Sequence, residues 1–197
     1  MHAERSGVTS PSPCAVRGAP SPWIVRWSHL LQPGGSVLDV ACGGGRHAAW
    51  LAERGHAVTA VDRDLSGVAD LSGSVSLVQA DIENTAWPLV FNGAPIPFNA
   101  VVVTNYLWRP LFPTLLASVA PGGVLLYETF AQGNETVGRP ARPEFLLRHG
   151  ELLQMCQGLH IVAFEDGYLD APPRYVQRIV AVRKEAATPT TPTLYTL

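Results

Sequence analysis

Three acidic residues and a run of glycines are the parts of this sequence best suited to chemistry. Asp39 precedes the glycines at 43–45, and Asp62 and Asp81 each follow a short apolar segment. Glycines let a backbone approach a ligand closely, and the free N–H groups at a helix start can then face that ligand. A carboxylate at a strand end can accept hydrogen bonds from both hydroxyls of a ribose. The pattern therefore predicts a ligand that contains adenosine.

Each of these features also has a simpler explanation. Glycine-rich turns between a strand and a helix bind NAD and FAD as well, and some bind nothing. Asp62 or Asp81 alone could equally be a helix N-cap or a turn residue. It is the combination of the two acids with the loop that favours the ligand.

A parallel sheet is needed to bring the acids and glycines to one edge. Short apolar runs predict strands at 37–40, 57–61, 74–79, 100–104, 124–127, 159–164 and 174–182. Helical spacing predicts helices at 23–31, 48–54, 110–120 and, with a break at Gly150, 143–157. The prolines in 84–99 favour a turn or a single helical turn there. Ligands of such sheets bind beyond the carboxyl ends of the strands, so we expect the site there.

The stretch from Asp39 to Gly45 resembles the first motif of class I S-adenosylmethionine (SAM) methyltransferases, an acid followed by a loop of the G-x-G-x-G kind. Ala41 stands where that family most often has its first glycine. The Cys-Gly-x-Gly-Arg pattern at 42–46 is also similar to small methyltransferases related to the tellurite-resistance methyltransferase. The class resemblance covers the chain from about Gly34 to Arg183.

This resemblance implies an α/β fold, a three-layer sandwich with a Rossmann-like, mostly parallel seven-stranded sheet and a closing antiparallel hairpin. It implies SAM as the cofactor and a small molecule as the methyl acceptor. The residues assigned to the cofactor are Arg26, Asp39, Ala41, Cys42, Gly43, Gly45, Arg46, Asp62, Arg63, Asp81, Ile82, Thr104 and Asn105. Arg26 and Arg46 are candidates for the methionine carboxylate, and a surface role is the alternative for each. Cys42 fits better as a small buried residue than as a nucleophile.

Methyl transfer from a sulfonium depends mainly on alignment in a water-poor cleft. A base can still help when the acceptor is a hydroxyl, carboxyl, thiol or amine. Tyr106 and Glu128 follow or end predicted strands and are the predicted catalytic residues. Glu135 and His47 are further titratable candidates, although His47 fits better as a helix residue. The polar loop at 131–140 is long for a plain connection and is predicted to cover the substrate.

Composition limits the partners. The chain has 14 basic and 16 acidic residues and a net charge of −2, so neither nucleic acid nor a membrane surface is expected as a partner. Cys14, Cys42 and Cys156 are far apart and include no C-x-x-C pair, so no metal site is expected and a reducing cytoplasm fits. The oligomeric state is left open.

The length of 197 residues predicts one domain, and 47% apolar with 15% charged residues predicts a compact one. We expect a flexible arm at 1–22, the methyltransferase domain at 23–185 and a flexible tail at 186–197. Two other functions stay open: a NAD-type Rossmann oxidoreductase, and a SAM-binding module without catalysis. The closing hairpin favours the methyltransferase, because a dehydrogenase more often continues with a further parallel strand and a substrate domain.

Overall fold

A central sheet of seven strands organises the molecule, seen in a computed structural model that describes residues 17–185 and 193–197. The described residues form β1 (Ser36–Val40), β2 (Ala57–Asp62), β3 (Val75–Gln79), β4 (Val90–Phe91), β5 (Ala94–Pro95), β6 (Phe98–Thr104), β7 (Val119–Phe130), β8 (His160–Asp170) and β9 (Pro173–Val182). The order in the sheet is β3-β2-β1-β6-β7-β9-β8, and β4 pairs with β5 separately. The first five strands in this order, β3, β2, β1, β6 and β7, pair in parallel with their neighbours. β9 runs antiparallel to both β7 and β8. The predicted fold class is confirmed.

Helices cover both faces of the sheet. The four α-helices of the described residues are α1 (Pro22–Trp27), α2 (Arg46–Ala52), α3 (Phe112–Ala117) and α4 (Glu151–Met155). Trp23, Trp27 and Leu51 of α1 and α2 pack on one face, and α3 and α4 pack on the other. From Ala100 to Val103 of β6 the side chains point alternately to the two cores, which is why these successive positions are all apolar. The result is the predicted three-layer sandwich.

Several elements have other bounds than predicted. The helix expected at 110–120 is a 3₁₀ turn at Arg109–Leu111 followed by α3, because the chain turns early into β7 at Val119. The helix expected at 23–31 becomes a 3₁₀ turn after Trp27. The break expected at Gly150 is present, with Gly150 left-handed as the N-cap of α4.

The segment 84–99 contains a β-hairpin and not only the predicted turn. β4 and β5 are joined by Asn92 and Gly93, whose φ angles are 50° and 78°. Asn-Gly suits a two-residue hairpin turn that needs positive φ at both positions. The prolines at 95 and 97 end the pairing after two residues, since proline donates no ladder hydrogen bond.

The chain ends are described in part, since residues 1–16 of the predicted arm and 186–192 of the predicted tail lie outside the described residues. The arm from Arg17 onward packs on the domain, and α1 begins at Pro22 with a buried Ser21 as its N-cap. The ordered fold therefore starts ahead of the boundary predicted at 23. In the tail, Tyr195 stacks on His160 with ring centroids 5.1 Å apart. No helix of the described residues has the length and apolar character that crossing a membrane requires.

Candidate functional site

The turn between β1 and α2 alternates left-handed residues: Ala41 at φ 53°, Gly43 at 53° and Gly45 at 70°. This conformation is costly for alanine, so the turn holds strain at Ala41. A Cβ on Gly43 would meet no atom within 4 Å, whereas one on Gly45 would lie 2.5 Å from Val68 Cγ1. Gly43 therefore leaves open space above the turn, while Gly45 allows the start of α2 to pack closely.

Asp62 ties this turn to the end of β2. Its Oδ2 accepts the Gly43 N–H at 2.8 Å, and its Oδ1 accepts the Asp64 N–H at 3.0 Å. The side chain is half-buried, so spare lone pairs of both oxygens remain available to a ligand. Arg63, next in the chain, is exposed, and its carbonyl accepts from the Gln79 side chain.

Asp81 lies at the same edge, after β3. Its carboxylate accepts from the Asn84 side chain at 2.9 Å and from the N–H groups of Glu83 and Asn84 at 3.1 and 3.2 Å. These bonds, that from the Asn84 side chain foremost, hold the pKa of Asp81 below its usual range. Asp81 thus makes the contacts of a turn residue, the alternative weighed from the sequence. The neighbouring Ile82 is buried.

Asp39 is the least satisfied polar group of the turn. It is 1% exposed, and its Oδ2 has no hydrogen-bond partner. Burial raises the pKa of Asp39 to about 7, and the Ala48 N–H and the Arg46 guanidinium offset this only partly. A buried carboxylate oxygen without a hydrogen bond is costly, so the Oδ2 of Asp39 is suited to a cationic donor from outside the chain.

Cys42 sits inside the turn and is also buried. Burial raises the pKa of its thiol to about 12, and the carboxylates of Asp39 and Asp62 add to the shift. The thiolate is the reactive form of cysteine, so Cys42 is not set up as a nucleophile.

A segment that the sequence did not single out crosses the turn. We call residues 17–21 the N-terminal strap. The Nε of Arg17 donates to the Gly44 carbonyl at 3.0 Å, and the Nη1 of Arg46 donates to the Ala19 carbonyl at 3.5 Å. The Ser21 N–H donates to His47 Nε2 at 3.0 Å. The strap therefore covers the turn, and Arg46 contacts it directly.

His47 joins the strap to the sheet. Its Nε2 accepts from Ser21, so Nδ1 carries the proton and faces Thr104 Oγ1 at 3.3 Å. The ring is 1% exposed, and burial, with a smaller effect of Arg46, lowers its pKa to about 4. His47 is thus a neutral helix residue whose one lone pair is occupied, and it is not available as a base.

The structure contradicts the catalytic role predicted for Glu128. Its side chain is 0% exposed and lies between Arg174 Nη2 at 3.7 Å and Arg178 Nη1 at 3.5 Å. The Ser21 hydroxyl donates to its Oε1 at 3.1 Å. Strand pairing sets Glu128 opposite Arg178, which fixes this arrangement. An acceptor cannot contact Glu128 here, and its contacts hold β7, β9 and the strap together.

Arg26 is likewise not brought to the turn. Its side chain is 56% exposed, pairs with Glu165 at 3.5 Å and lies over the Trp27 ring. The alternative stated from the sequence, a packed helix with Arg26 facing solvent, describes it. Helical spacing alone could not decide which way the arginine points.

A cavity of about 280 Å³ opens beyond the carboxyl ends of β6 and β7. It is lined by Glu83, Asn105, Tyr106, Leu107, Thr129, Phe130, Pro140 and Phe145. Asn105 turns the chain there with a left-handed φ of 55°. The Tyr106 hydroxyl is buried without a hydrogen-bond partner, and burial, with the nearby Glu83 next, raises its pKa. A wider open groove of about 680 Å³ lies at the other end of β1 to β3, away from the predicted site residues.

Two polar residues, the buried Asn134 and the partly buried Arg109, hold the cavity walls. Asn134 donates to the Pro140 carbonyl at 2.9 Å and accepts the Tyr175 N–H at 3.2 Å, which fixes the loop at 131–140. Arg109 binds both carboxylate oxygens of Glu151, at 2.7 and 2.9 Å. It also donates to the Glu144 and Leu146 carbonyls, on either side of Phe145. The predicted loop thus borders the cavity. Arg109 does not line the cavity but holds the segment around Phe145, which does.

Sequence reasoning missed Glu83, Phe130 and Phe145 in the cavity. Glu83 had a signal, since it lies two residues after Asp81 at a strand end. The two phenylalanines come from segments whose meeting depends on the packing of the loop after β7. No short-range pattern indicates that.

The comparisons with known proteins agree with this geometry. Residues 37–123 match the family described as a methyltransferase domain. The resemblance to class I SAM methyltransferases seen at the glycine turn is confirmed.

Among curated relatives, the domain is 35% identical over 103 residues to a ubiquinone biosynthesis O-methyltransferase of Xylella fastidiosa. That alignment covers 49% of this chain and 42% of the relative, so the chain spans less than half the length of the curated relatives it matches.

Solved structures share the fold. TehB from Haemophilus influenzae superposes with a TM-score of 0.65 and 20% identity over 82% of this chain and 61% of its own. A 1,6-didemethyltoxoflavin-N1-methyltransferase from Burkholderia thailandensis has S-adenosylhomocysteine and 1,6-didemethyltoxoflavin bound. It superposes with a TM-score of 0.61 and 18% identity over 83% of this chain and 77% of its own. At these identities the likeness bears on the fold alone.

Proposed function

We propose that this protein transfers a methyl group from SAM to a small-molecule acceptor. The observation that carries the proposal is the buried Oδ2 of Asp39, which has no hydrogen-bond partner beside the glycine-rich turn. The methionine part of SAM has an ammonium group that can donate to this oxygen, whereas NAD has none. Asp39 therefore favours SAM over a nicotinamide cofactor.

Other residues at the same edge fit the remaining parts of SAM. Asp62 offers a carboxylate for the ribose hydroxyls, and Gly43 leaves open space in front of its backbone. Asp81 and Ile82 offer a polar and an apolar contact for the adenine, and Asn105 lines the neighbouring cavity. Arg46, which contacts the strap, remains our candidate for the methionine carboxylate.

When bound, SAM supplies a methyl group on a positively charged sulfur, which is a good leaving group. The protein's part is to hold the acceptor and exclude water. The strap covers the turn, and the segment around Phe145 covers the cavity, so both sides of the edge are shielded. Tyr106 is the residue we propose to contact and orient the acceptor, through its unpaired hydroxyl.

The names of relatives support a small acceptor. The Xylella fastidiosa relative is named for ubiquinone biosynthesis, and the Burkholderia thailandensis structure holds 1,6-didemethyltoxoflavin. A cytoplasmic location belongs to the same proposal, supported by Cys42 and Cys156, which are buried and free of disulfides.

Calorimetry with SAM, S-adenosylhomocysteine and NAD tests the cofactor. We expect the first two to bind and NAD not to bind, and we expect Asp39→Asn to weaken SAM and S-adenosylhomocysteine alike, because both carry the ammonium group. Binding of NAD without SAM would overturn the proposal. Transfer of labelled methyl from SAM to small molecules then separates an enzyme from a binding module.

A further inference from the structure

The cavity after β6 presents a single kind of charge to its contents. Among the described residues that line it, Glu83 is the one carboxylate and none is basic. Glu83 is exposed, so it stands at the mouth of the cavity and not in its depth. An anion entering the cavity would meet this carboxylate without a cation to offset it.

The arginines of the neighbouring segments do not change this balance. Arg109 directs its guanidinium away, to Glu151 and to the carbonyls of Glu144 and Leu146. Arg139 and Arg142 are exposed and do not line the cavity. The field at the cavity is therefore negative: Glu83 contributes most at the Tyr106 hydroxyl, and Asp81 and Asp62 add to it with the same sign.

The rest of the lining suits a planar ring. Tyr106, Phe130 and Phe145 supply three aromatic side chains, and Leu107 and Pro140 add apolar surface. Aromatic rings pack well on each other and on cations. The volume of about 280 Å³ is below the range of about 300–1,000 Å³ for most ligand pockets, so one ring or two fused rings fit.

The Tyr106 hydroxyl fixes where a polar atom of the ligand belongs. It is buried and makes no hydrogen bond to the part of the chain that the structure describes, and the Glu83 carboxylate lies near enough to raise its pKa. A hydroxyl or amine on the ligand would complete its hydrogen bonding, and an unsubstituted hydrocarbon would leave it unpaired.

We propose that the acceptor is a small aromatic molecule, uncharged or cationic, that pairs with the Tyr106 hydroxyl, and that Glu83 at the mouth rejects anionic acceptors. This inference rests on the proposed function, because it takes the cavity as the acceptor site. It assigns Tyr106 to orientation and Glu83 to charge selection.

Three phenols of similar size whose para groups are cationic, neutral and anionic test the inference: tyramine, 4-ethylphenol and 4-hydroxyphenylacetate. Their dissociation constants are measured by ligand-observed NMR on protein saturated with S-adenosylhomocysteine. We expect the anion to bind about tenfold more weakly than the neutral phenol, and the cation at least as tightly as the neutral one. Glu83→Gln should bring the anion within about threefold of the neutral phenol, and Glu83→Lys should reverse the order.

Glu53→Gln and Glu53→Lys are the matched controls, since Glu53 is exposed at the end of α2 and does not line the cavity. They change the net charge equally and should leave the order of the three phenols unchanged. Tyr106→Phe should abolish the preference for 4-ethylphenol over ethylbenzene while circular dichroism reports an unchanged fold.

The outcomes separate this inference from the proposed function. No binding of S-adenosylhomocysteine would count against the proposed function itself. Binding of S-adenosylhomocysteine with no charge selection among the phenols, or with a preference for the anion that Arg139→Ala removes, would overturn the present inference alone. Failure of all three phenols to bind the loaded protein would overturn the aromatic acceptor class.

Discussion

The turn after β1 and the cavity after β6 share one edge of the sheet but are formed by different kinds of groups. The turn uses backbone groups and two acids within residues 39–62, and it leaves an oxygen of Asp39 without a partner. The cavity is lined by side chains from segments spread between Glu83 and Phe145. Its walls depend on distant contacts such as those of Asn134 and Arg109. The turn, built from local backbone groups, suits a cofactor that many enzymes share. The cavity, built from distant side chains, suits an acceptor particular to this protein.

Two buried carboxylates show the same contrast. Asp39 keeps an unpaired oxygen and a raised pKa, whereas Glu128 is enclosed by Ser21, Arg174 and Arg178. The first is poised for a ligand and the second is satisfied by the chain. Burial of an acid at a sheet edge therefore does not by itself indicate a catalytic group.

The largest effect is expected for Glu128→Ala. Removing Glu128 leaves Arg174 without its carboxylate and Arg178 with Glu165 alone, which should lower the free energy of unfolding by about 3–5 kcal/mol. Urea denaturation followed by circular dichroism measures it. The control is Glu165→Ala, whose more exposed carboxylate also pairs with Arg178 and should contribute about 0–1 kcal/mol. Equal effects of the two variants would remove the contrast between Glu128 and Asp39.

The glycines of the turn should separate stability from binding. Gly45→Val places a side chain against Val68. We expect this overpacking to lower the free energy of unfolding by about 1–3 kcal/mol, and the left-handed backbone to lower it by about 1–2 kcal/mol more. Gly43→Val carries only the backbone cost and should lose SAM binding with the fold retained. The sequence alone does not distinguish the two positions, because the contact with Val68 depends on packing. Thermal denaturation and calorimetry on both variants check this, and a stable Gly45→Val protein would contradict the packing.

What the sequence could predict follows the same division. The sequence predicted the fold class, the closing hairpin of the sheet, and the turn with Asp39 and Asp62. These features follow from apolar runs and glycines, which determine the local conformation of neighbouring residues. The sequence could not predict the roles of Glu128 and Arg26, because their partners Arg178 and Glu165 come from the last two strands. The hairpin at 90–95 had a local signal in Asn-Gly, whereas the strap had none, and the positions of both in space depend on packing.

A smaller effect is expected at the ribose side of the turn. Asp62→Ala should weaken SAM about 10- to 100-fold, equivalent to about 1.5–3 kcal/mol, since charged hydrogen bonds are lost. Calorimetry measures the change. Asp64→Ala is the control, because the Asp64 carboxylate accepts from Ser66 within its own turn. An unchanged SAM affinity in Asp62→Ala would remove the ribose assignment and leave Asp62 as a brace for Gly43.

The smallest effect separates Asp39 from His47 by pH. The pKa of Asp39 is raised from 3.8 to about 7, so the native state holds a proton that the unfolded chain releases, and this contribution to stability is lost as the pH rises through about 7. The pKa of His47 is lowered from 6.5 to about 4, so its contribution is present above 6.5 and lost as the pH falls towards 4. The two oppose each other between about 4 and 6.5, and near 7 Asp39 acts alone.

Asp39→Asn should therefore remove the loss of stability that the parent shows from about pH 6 to about pH 8, as measured by urea denaturation at each pH. SAM affinity should rise over the same range in the parent, since the carboxylate is the form that binds an ammonium, and should stay flat in Asp39→Asn. Parallel pH profiles of the two proteins would mean that Asp39 does not titrate there and would leave its unpaired oxygen without a role in binding.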